Sequence, residues 1–187
     1  MQLESSKYVK DDKKELKALY KEAFPAVERV PFFFLMNRIR KNGIGWNIYH
    51  KEEQFVGLSY TVRESDFLFV FFLAVKKGQR GQGIGTAILS DLKEKNPECS
   101  IVLETESLQI ECSNMKERKR RVLFYKKNGF SMSDFIVREN KEIYQTMIKG
   151  EGLTKEIYER IFKKLLGPFG FLFCRTEIKG TESGTDN

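Results

Sequence analysis

One histidine, one tryptophan, three cysteines and four prolines in 187 residues close off several classes of function. Cys99, Cys112 and Cys174 form an odd, sparse set without CxxC spacing, which argues against a disulfide framework or a zinc site and fits a reducing compartment. His50 stands at the end of a predicted strand beside Lys51, where an exposed or packed role is expected. No histidine is placed to activate a cysteine, so a route through an acyl-cysteine is not expected. The longest apolar run, Phe67 to Val75, is cut short by Lys76 and Lys77 and cannot span a bilayer. The opening MQLESSKYVKDDKK is polar and charged, unlike a secretory leader, so the expected location is the cytoplasm.

What is present describes a globular chain. Hydrophobic residues make up 41% and charged residues 32%, with 16 phenylalanines to fill a core without polar ring atoms to satisfy. The length suits one domain. A net charge of +7 favours anionic partners: a nucleic acid, an anionic membrane surface or a multiply charged cofactor. Charge alone does not choose among them.

Residues 10–23 place Leu16, Leu19, Tyr20 and Ala23 on one helical face. After Phe24-Pro25, Pro31 opens a second helix over 32–41, ended by Asn42-Gly43. Short strands are expected over 46–50 and 55–62, the second with Val56, Leu58, Tyr60 and Val62 at period two. With 67–75 they make an antiparallel meander. A helix follows at 84–95, with Ile84, Ile88, Leu89 and Leu92 as its stripe, then a buried-type strand at 100–104. A very basic helix spans 114–128 and closes on Asn128-Gly129. Strands at 130–138 and 142–149 and an amphipathic helix at 153–166 complete an α/β (α+β) layout around one mixed sheet.

The informative segment is FVFFLAVKKGQRGQGIGTAIL, residues 69–89. A hydrophobic strand enters a loop with glycines at 78, 81, 83 and 85, and the loop opens directly into a helix. Free N–H groups at such a junction, helped by the helix dipole, suit a phosphate or pyrophosphate. A P-loop is excluded because Ile84, not lysine, follows Gly83. A dinucleotide fingerprint fails because Thr86 occupies its third glycine position. The pattern [Gln/Arg]-x-x-Gly-x-[Gly/Ala] is met by Arg80, Gly83 and Gly85.

On this loop, and on Phe124-Tyr125-Lys126-Lys127-Asn128-Gly129-Phe130, the sequence resembles the GNAT N-acetyltransferase superfamily over residues 10–150. The resemblance implies one GNAT-like domain over 1–178, with a twisted mixed sheet of about six to seven strands. Acceptor-side helices would span 10–41 and the CoA-binding core 66–130, with a flexible tail at 179–187. It assigns Arg80, Gly81, Gln82, Gly83, Ile84, Gly85 and Thr86 to the CoA phosphates, and Leu73, Ala74 and Val75 to the pantetheine arm. Tyr125 becomes the general acid that protonates the departing thiolate, a role open to a phenol of ordinary pKa near 10. Arg118 and Arg121 depart from the family pattern, which often has Asn and Ala there.

The implied reaction is transfer of the acetyl group of acetyl-CoA to a primary amine in a ternary complex, with no metal. Backbone near Val75 would polarise the thioester carbonyl. Glu104 is favoured as general base over Glu106 and Glu64, and Glu28 and Arg29 stand where the family shapes its acceptor pocket. The acceptor, a small molecule or a peptide amine, is left open. A homodimer pairing through the C-terminal hairpin or last helix is compatible with the reading. Two rivals remain: a CoA-binding regulatory domain without catalysis, and a nucleic-acid-binding protein using the basic helix. The second lacks aromatics interleaved with the charges of residues 115–121.

Overall fold

The run expected as one helix from residue 10 opens with a 3-10 turn, Lys10–Asp12, and becomes α1 at Lys13–Ala23. Leu16, Leu19 and Tyr20 are its buried residues, spaced three and four apart as an amphipathic helix requires. The computed structural model describes residues 3–8, 10–26, 29–109, 112–139, 142–167 and 177–180. The chain falls into two compact units, Met1–Cys99 and Ser100–Asn187.

In the first unit α1 is followed by α2 (Phe32–Arg38), which starts after Pro31 and is shorter than the apolar run suggested. Residues 39–43 turn instead, with Lys41 N–H on the Arg38 carbonyl and Ile44 N–H on that of Lys41. Four antiparallel strands lie in the order β1 (Glu4–Lys7), β2 (Ile44–Lys51), β3 (Gln54–Glu64) and β4 (Phe67–Val75). β1 was not expected. Its residues, ESSK, carry no apolar alternation, and the backbone ladder to residues 47–50 holds it as a polar edge strand.

Both faces of β3 are covered, so residues 55–62 are buried without interruption. Trp46, Tyr60 and Phe72 face α1, where Tyr20 meets Trp46 and Phe72 edge-on at 5.7 and 5.0 Å between ring centroids. The opposite face of β3 carries small residues, Gly57, Ser59 and Thr61, and receives α3 (Ile84–Lys95). Gly57 makes that approach possible. A Cβ there would stand 2.9 Å from the Ala74 carbonyl and 3.0 Å from Ile88 Cδ1. The β3–β4 ladder passes from Tyr60–Phe72 to Thr61–Val70, so Phe71 is an extra residue on β4, a β-bulge.

The second unit orders its strands β5 (Ser100–Glu106), β7 (Glu142–Lys149), β6 (Ser131–Glu139) and β8 (Glu177–Gly180), every pair antiparallel. The irregularity in β6 is braced by Gln145, whose Nε2 donates to the Ser133 carbonyl at 2.7 Å. α4 (Met115–Lys127) buries Arg118, Val122 and Tyr125. α5 (Lys155–Leu166) buries Tyr158, Ile161 and Leu165, starts from Thr154, whose hydroxyl accepts the Ile157 N–H, and ends at Gly167 in positive φ. Lys179 and Gly180, expected in the tail, close β8, while residues 181–187 lie outside the described residues. The α/β class is as expected, with five α helices among the described residues. None of these is long and apolar enough to cross a membrane.

Candidate functional site

β4 delivers the chain into the glycine loop. Leu73 and Val75 are half-buried and Ala74 is buried at its end, where Val75 pairs with Gly57. Lys76 N–H then bonds the Val56 carbonyl at 2.9 Å, and a 3-10 turn, Lys77–Gln79, redirects the backbone. Gly81 and Gly83 both take φ +80°, and nothing lies within 4 Å of where a Cβ would project from either. The left-handed backbone accounts for the residue type, and the open space leaves the amides approachable.

Side chains brace the loop from within. Arg80 Nε donates to the Val75 carbonyl at 3.0 Å, and Gln82 Nε2 to the Gly78 carbonyl at 3.4 Å. Gly83 is the N-cap of α3 and offers no side-chain cap. The intrahelical pattern begins with Ala87 N–H on the Gly83 carbonyl, so Ile84, Gly85 and Thr86 present their amides toward the helix start. Gly81, Gln82 and Gly83 likewise donate no backbone N–H to a backbone carbonyl among the described residues. Those amides at the positive end of the α3 dipole make an anion cradle, and an open approach at two glycines fits a pyrophosphate. The Arg80 side chain, expected among the phosphate contacts, is turned onto Val75.

In the second unit, Tyr125 lies in the last turn of α4 and is 8% exposed. The helix ends in a paired-bond cap: Gly129, at φ +84°, donates to the Lys126 carbonyl at 3.0 Å and Phe130 N–H to that of Tyr125 at 3.1 Å. The Phe130 ring meets Tyr125 edge-on at 5.7 Å, so the Tyr-x-x-x-Gly-Phe spacing is the means by which the phenol is held. No hydrogen bond engages the Tyr125 hydroxyl among the described residues. Its pKa is pushed up to about 12, chiefly by burial, with the Arg121 charge opposing and the Glu106 charge adding to the rise.

Glu104, at mid-strand on β5, is half-buried and accepts a 2.5 Å hydrogen bond from the Tyr158 hydroxyl of α5. The sequence reading did not find Tyr158. Its only signal was a place on the apolar stripe of the last helix, 54 residues from its partner. Glu106, 5% exposed, is held by Arg121 Nη2 at 2.9 Å, with Arg118 Nε at 4.0 Å. Arg118, 6% exposed, further donates to Asn114 Oδ1 at 3.0 Å and to the Ser107 carbonyl at 3.2 Å. The two arginines that depart from the expected pattern thus answer a buried carboxylate, and Glu106 is engaged by them.

The remaining candidates are placed as follows. Glu64 ends β3 opposite Phe67. Arg29 donates its N–H to the Ala26 carbonyl, while Glu28 and Cys174 lie outside the described residues. His50 packs against the Phe55 ring at 6.0 Å. Cys99 is buried, and Cys112 Sγ donates to Asn114 Oδ1.

The acetyltransferase (GNAT) domain matches residues 39–132. Bacillus subtilis YjbC is 33% identical over 90 residues, 48% of this chain and 44% of YjbC, so the chain spans less than half the length of that relative. A GNAT-family structure from Bacteroides thetaiotaomicron superposes with a TM-score of 0.69 at 25% identity, over 87% of this chain and 96% of its own. Arabidopsis thaliana Naa50, solved with the bisubstrate analogue CoA-Ac-MVNAL, superposes with a TM-score of 0.59 at 21% identity, over 81% and 100%. The mixed α/β fold is shared with these relatives, and the chain belongs to the GNAT acetyltransferases.

Proposed function

We propose that this chain transfers the acetyl group of acetyl-CoA to a primary amine by direct attack within a ternary complex. The carrying observation is the run of open amides from Gly81 to Thr86 at the start of α3, directly after β4. These amides hold the CoA pyrophosphate, and the end of β4, Leu73 to Val75, lines the pantetheine arm. Acetyl-CoA supplies an activated thioester carbonyl. The rest is the work of the chain.

Glu104 takes the proton of the acceptor ammonium, leaving a nucleophilic nitrogen. As the new C–N bond forms and the C–S bond breaks, negative charge gathers on sulfur, and Tyr125 donates to it. A phenol at about 12 is a weaker acid than a thiol of ordinary pKa near 8.5. Tyr125 therefore acts first as a hydrogen-bond donor to the thiolate, and the second proton, released by the nitrogen as the amide forms, reaches the sulfur through water. Residues 1–178 serve as the acetyltransferase domain, in a reducing compartment. The bisubstrate-bound Naa50 structure supports an amine acceptor, and a free small-molecule amine fits the same chemistry.

The test is thiol release from acetyl-CoA, followed with a thiol reagent over a panel of polyamines, amino sugars and short peptides. Acceptor-dependent release that drops about 10²-fold or more in Tyr125→Phe, with CoA affinity retained, supports the reading. Tight CoA binding without turnover on any acceptor supports the catalytically silent alternative.

A further inference from the structure

The first unit contains a second feature with the chemistry of an anion site, at the far end from the glycine loop. A cavity of about 640 Å³ opens between the 39–43 turn, the start of β4 and the last turn of α3. Leu68 is the second residue of β4, whereas Val75 is its last; Leu92 and Lys95 close α3, whereas Ile84 opens it. Seven residues of strand and eleven of helix put about 17–23 Å between the two places.

Five charged residues line this cavity: Lys7, Arg40, Lys41, Arg63 and Lys95. All five are cationic. The chain carries 33 basic and 26 acidic residues, so a stretch of surface with that many charges should hold both signs. Lys95 is answered by Asp91 of its own helix at 3.0 Å and by Ser5. Lys7, Arg40 and Lys41 have no ion pair or side-chain hydrogen bond among the described residues. Arg63 is fixed at the mouth by its backbone, whose N–H donates to the Gly43 carbonyl at 2.6 Å.

The floor is of a different character. Leu68 and Leu92 are buried there, and Asn47 and Thr61 stand beside them, Asn47 Nδ2 reaching Thr61 Oγ1 at 3.5 Å. An apolar floor with a few polar groups and a charged rim is the make-up of a small-molecule site, and the volume lies in the usual range. Like charges gathered around a concavity repel one another until an anion enters. Arginine and lysine together suit phosphoryl oxygens, one as a planar fork and the other as a point charge.

We infer that this cavity binds a phosphorylated small organic molecule, separately from the CoA site. Phosphoryl groups sit at Arg40, Lys41 and Arg63, and the organic part lies over Leu68 and Leu92. The occupant is small because the cations gather around one cavity of about 640 Å³ and do not extend along a stripe.

The probe is inorganic tripolyphosphate, titrated calorimetrically into the full chain carrying Thr86→Glu, which bars anions from the glycine loop. One-to-one binding is expected, weakened by at least about tenfold when Arg40→Glu and Lys41→Glu are added and falling as salt is raised. ATP is expected to bind more tightly than tripolyphosphate in the same background, since its base adds contacts on the apolar floor. Because the reversals relieve repulsion, the melting temperature of the added variant should not fall below that of Thr86→Glu alone, which shows it folded. No binding of tripolyphosphate, or equal binding with and without the reversals, overturns the proposal. Binding of an RNA oligonucleotide through Arg40 and Lys41 without binding of tripolyphosphate also overturns it, in favour of a polymer surface. Loss of the CoA reading leaves this test unaffected, since its background already has the glycine loop disabled.

Discussion

Arg121 Nη2 sits 2.9 Å from Glu106 Oε1, joining α4 to the end of β5. The glutamate side chain is 6% exposed while the arginine is 41% exposed, so the carboxylate is the member that depends on the pair. Removing Arg121 leaves a buried charge with Arg118 at 4.0 Å as its remaining arginine. Arg121→Ala should lower stability by about 3 kcal/mol, seen as a reduced urea midpoint with an unchanged m-value. Adding Glu106→Gln should restore more than half of that loss. A double variant no better than the single one would mean that the pair is not coupled.

Gly57 stands where β3, β4 and α3 crowd together. Gly57→Ala places a methyl 2.9 Å from the Ala74 carbonyl, and backbone cannot swing aside as a side chain can. The substitution should cost about 1–3 kcal/mol by overpacking, in a strand where alanine would otherwise be favoured. Thermal melting of the variant checks this, and an unchanged or raised melting temperature would show that α3 yields easily.

Buried phenols give the chain an alkaline limit. Tyr125 has its pKa raised to about 12, and burial raises Tyr20, Tyr49 and Tyr60 further. Each holds its proton more tightly folded than unfolded, so its contribution is complete below pH 10 and is lost as pH rises through the folded value. For Tyr125 the window is about pH 10–12 and the size about 2–3 kcal/mol. Chemical denaturation between pH 8 and 12 should show a steeper loss in the parent than in Tyr125→Phe. Parallel curves would exclude Tyr125 as a contributor.

The Tyr158–Glu104 hydrogen bond, at 2.5 Å, ties α5 to the candidate base. Tyr158→Phe keeps the packing of the ring against Phe162, at 4.4 Å between centroids, and removes only the donor. A loss of about 1.5–3 kcal/mol is expected, the range for a hydrogen bond to a charged group. Turnover should fall through kcat more than through the apparent affinity for acetyl-CoA, because the hydroxyl orients Glu104 and not the cofactor. A fall confined to the acetyl-CoA affinity would place Tyr158 elsewhere in the reaction.

Much of this was legible in the residues. Phe67–Val75, the stripe of α3 and Glu142–Lys149 were readable because period and punctuation agreed, and the glycine loop because its φ demands fall on glycines. β1 escaped because a polar edge strand is specified by its partner's backbone, not by its own side chains. α2 was drawn too long because Ile39 continues the apolar run while the chain has already turned. The roles of Arg118, Arg121 and Tyr158 depend on partners 11 to 54 residues away, a distance at which spacing carries no signal.

The account rests most directly on acetyl-CoA binding at the start of α3. Isothermal titration of the parent chain and of Thr86→Glu tests this with folding controlled, since an acid in the first turn of a helix supports the helix while repelling a phosphate. The predicted result is micromolar binding by the parent, lost by at least about tenfold in the variant, with a melting temperature equal or higher. A well-folded parent that binds no acetyl-CoA, or a variant that binds it as tightly, contradicts the central claim.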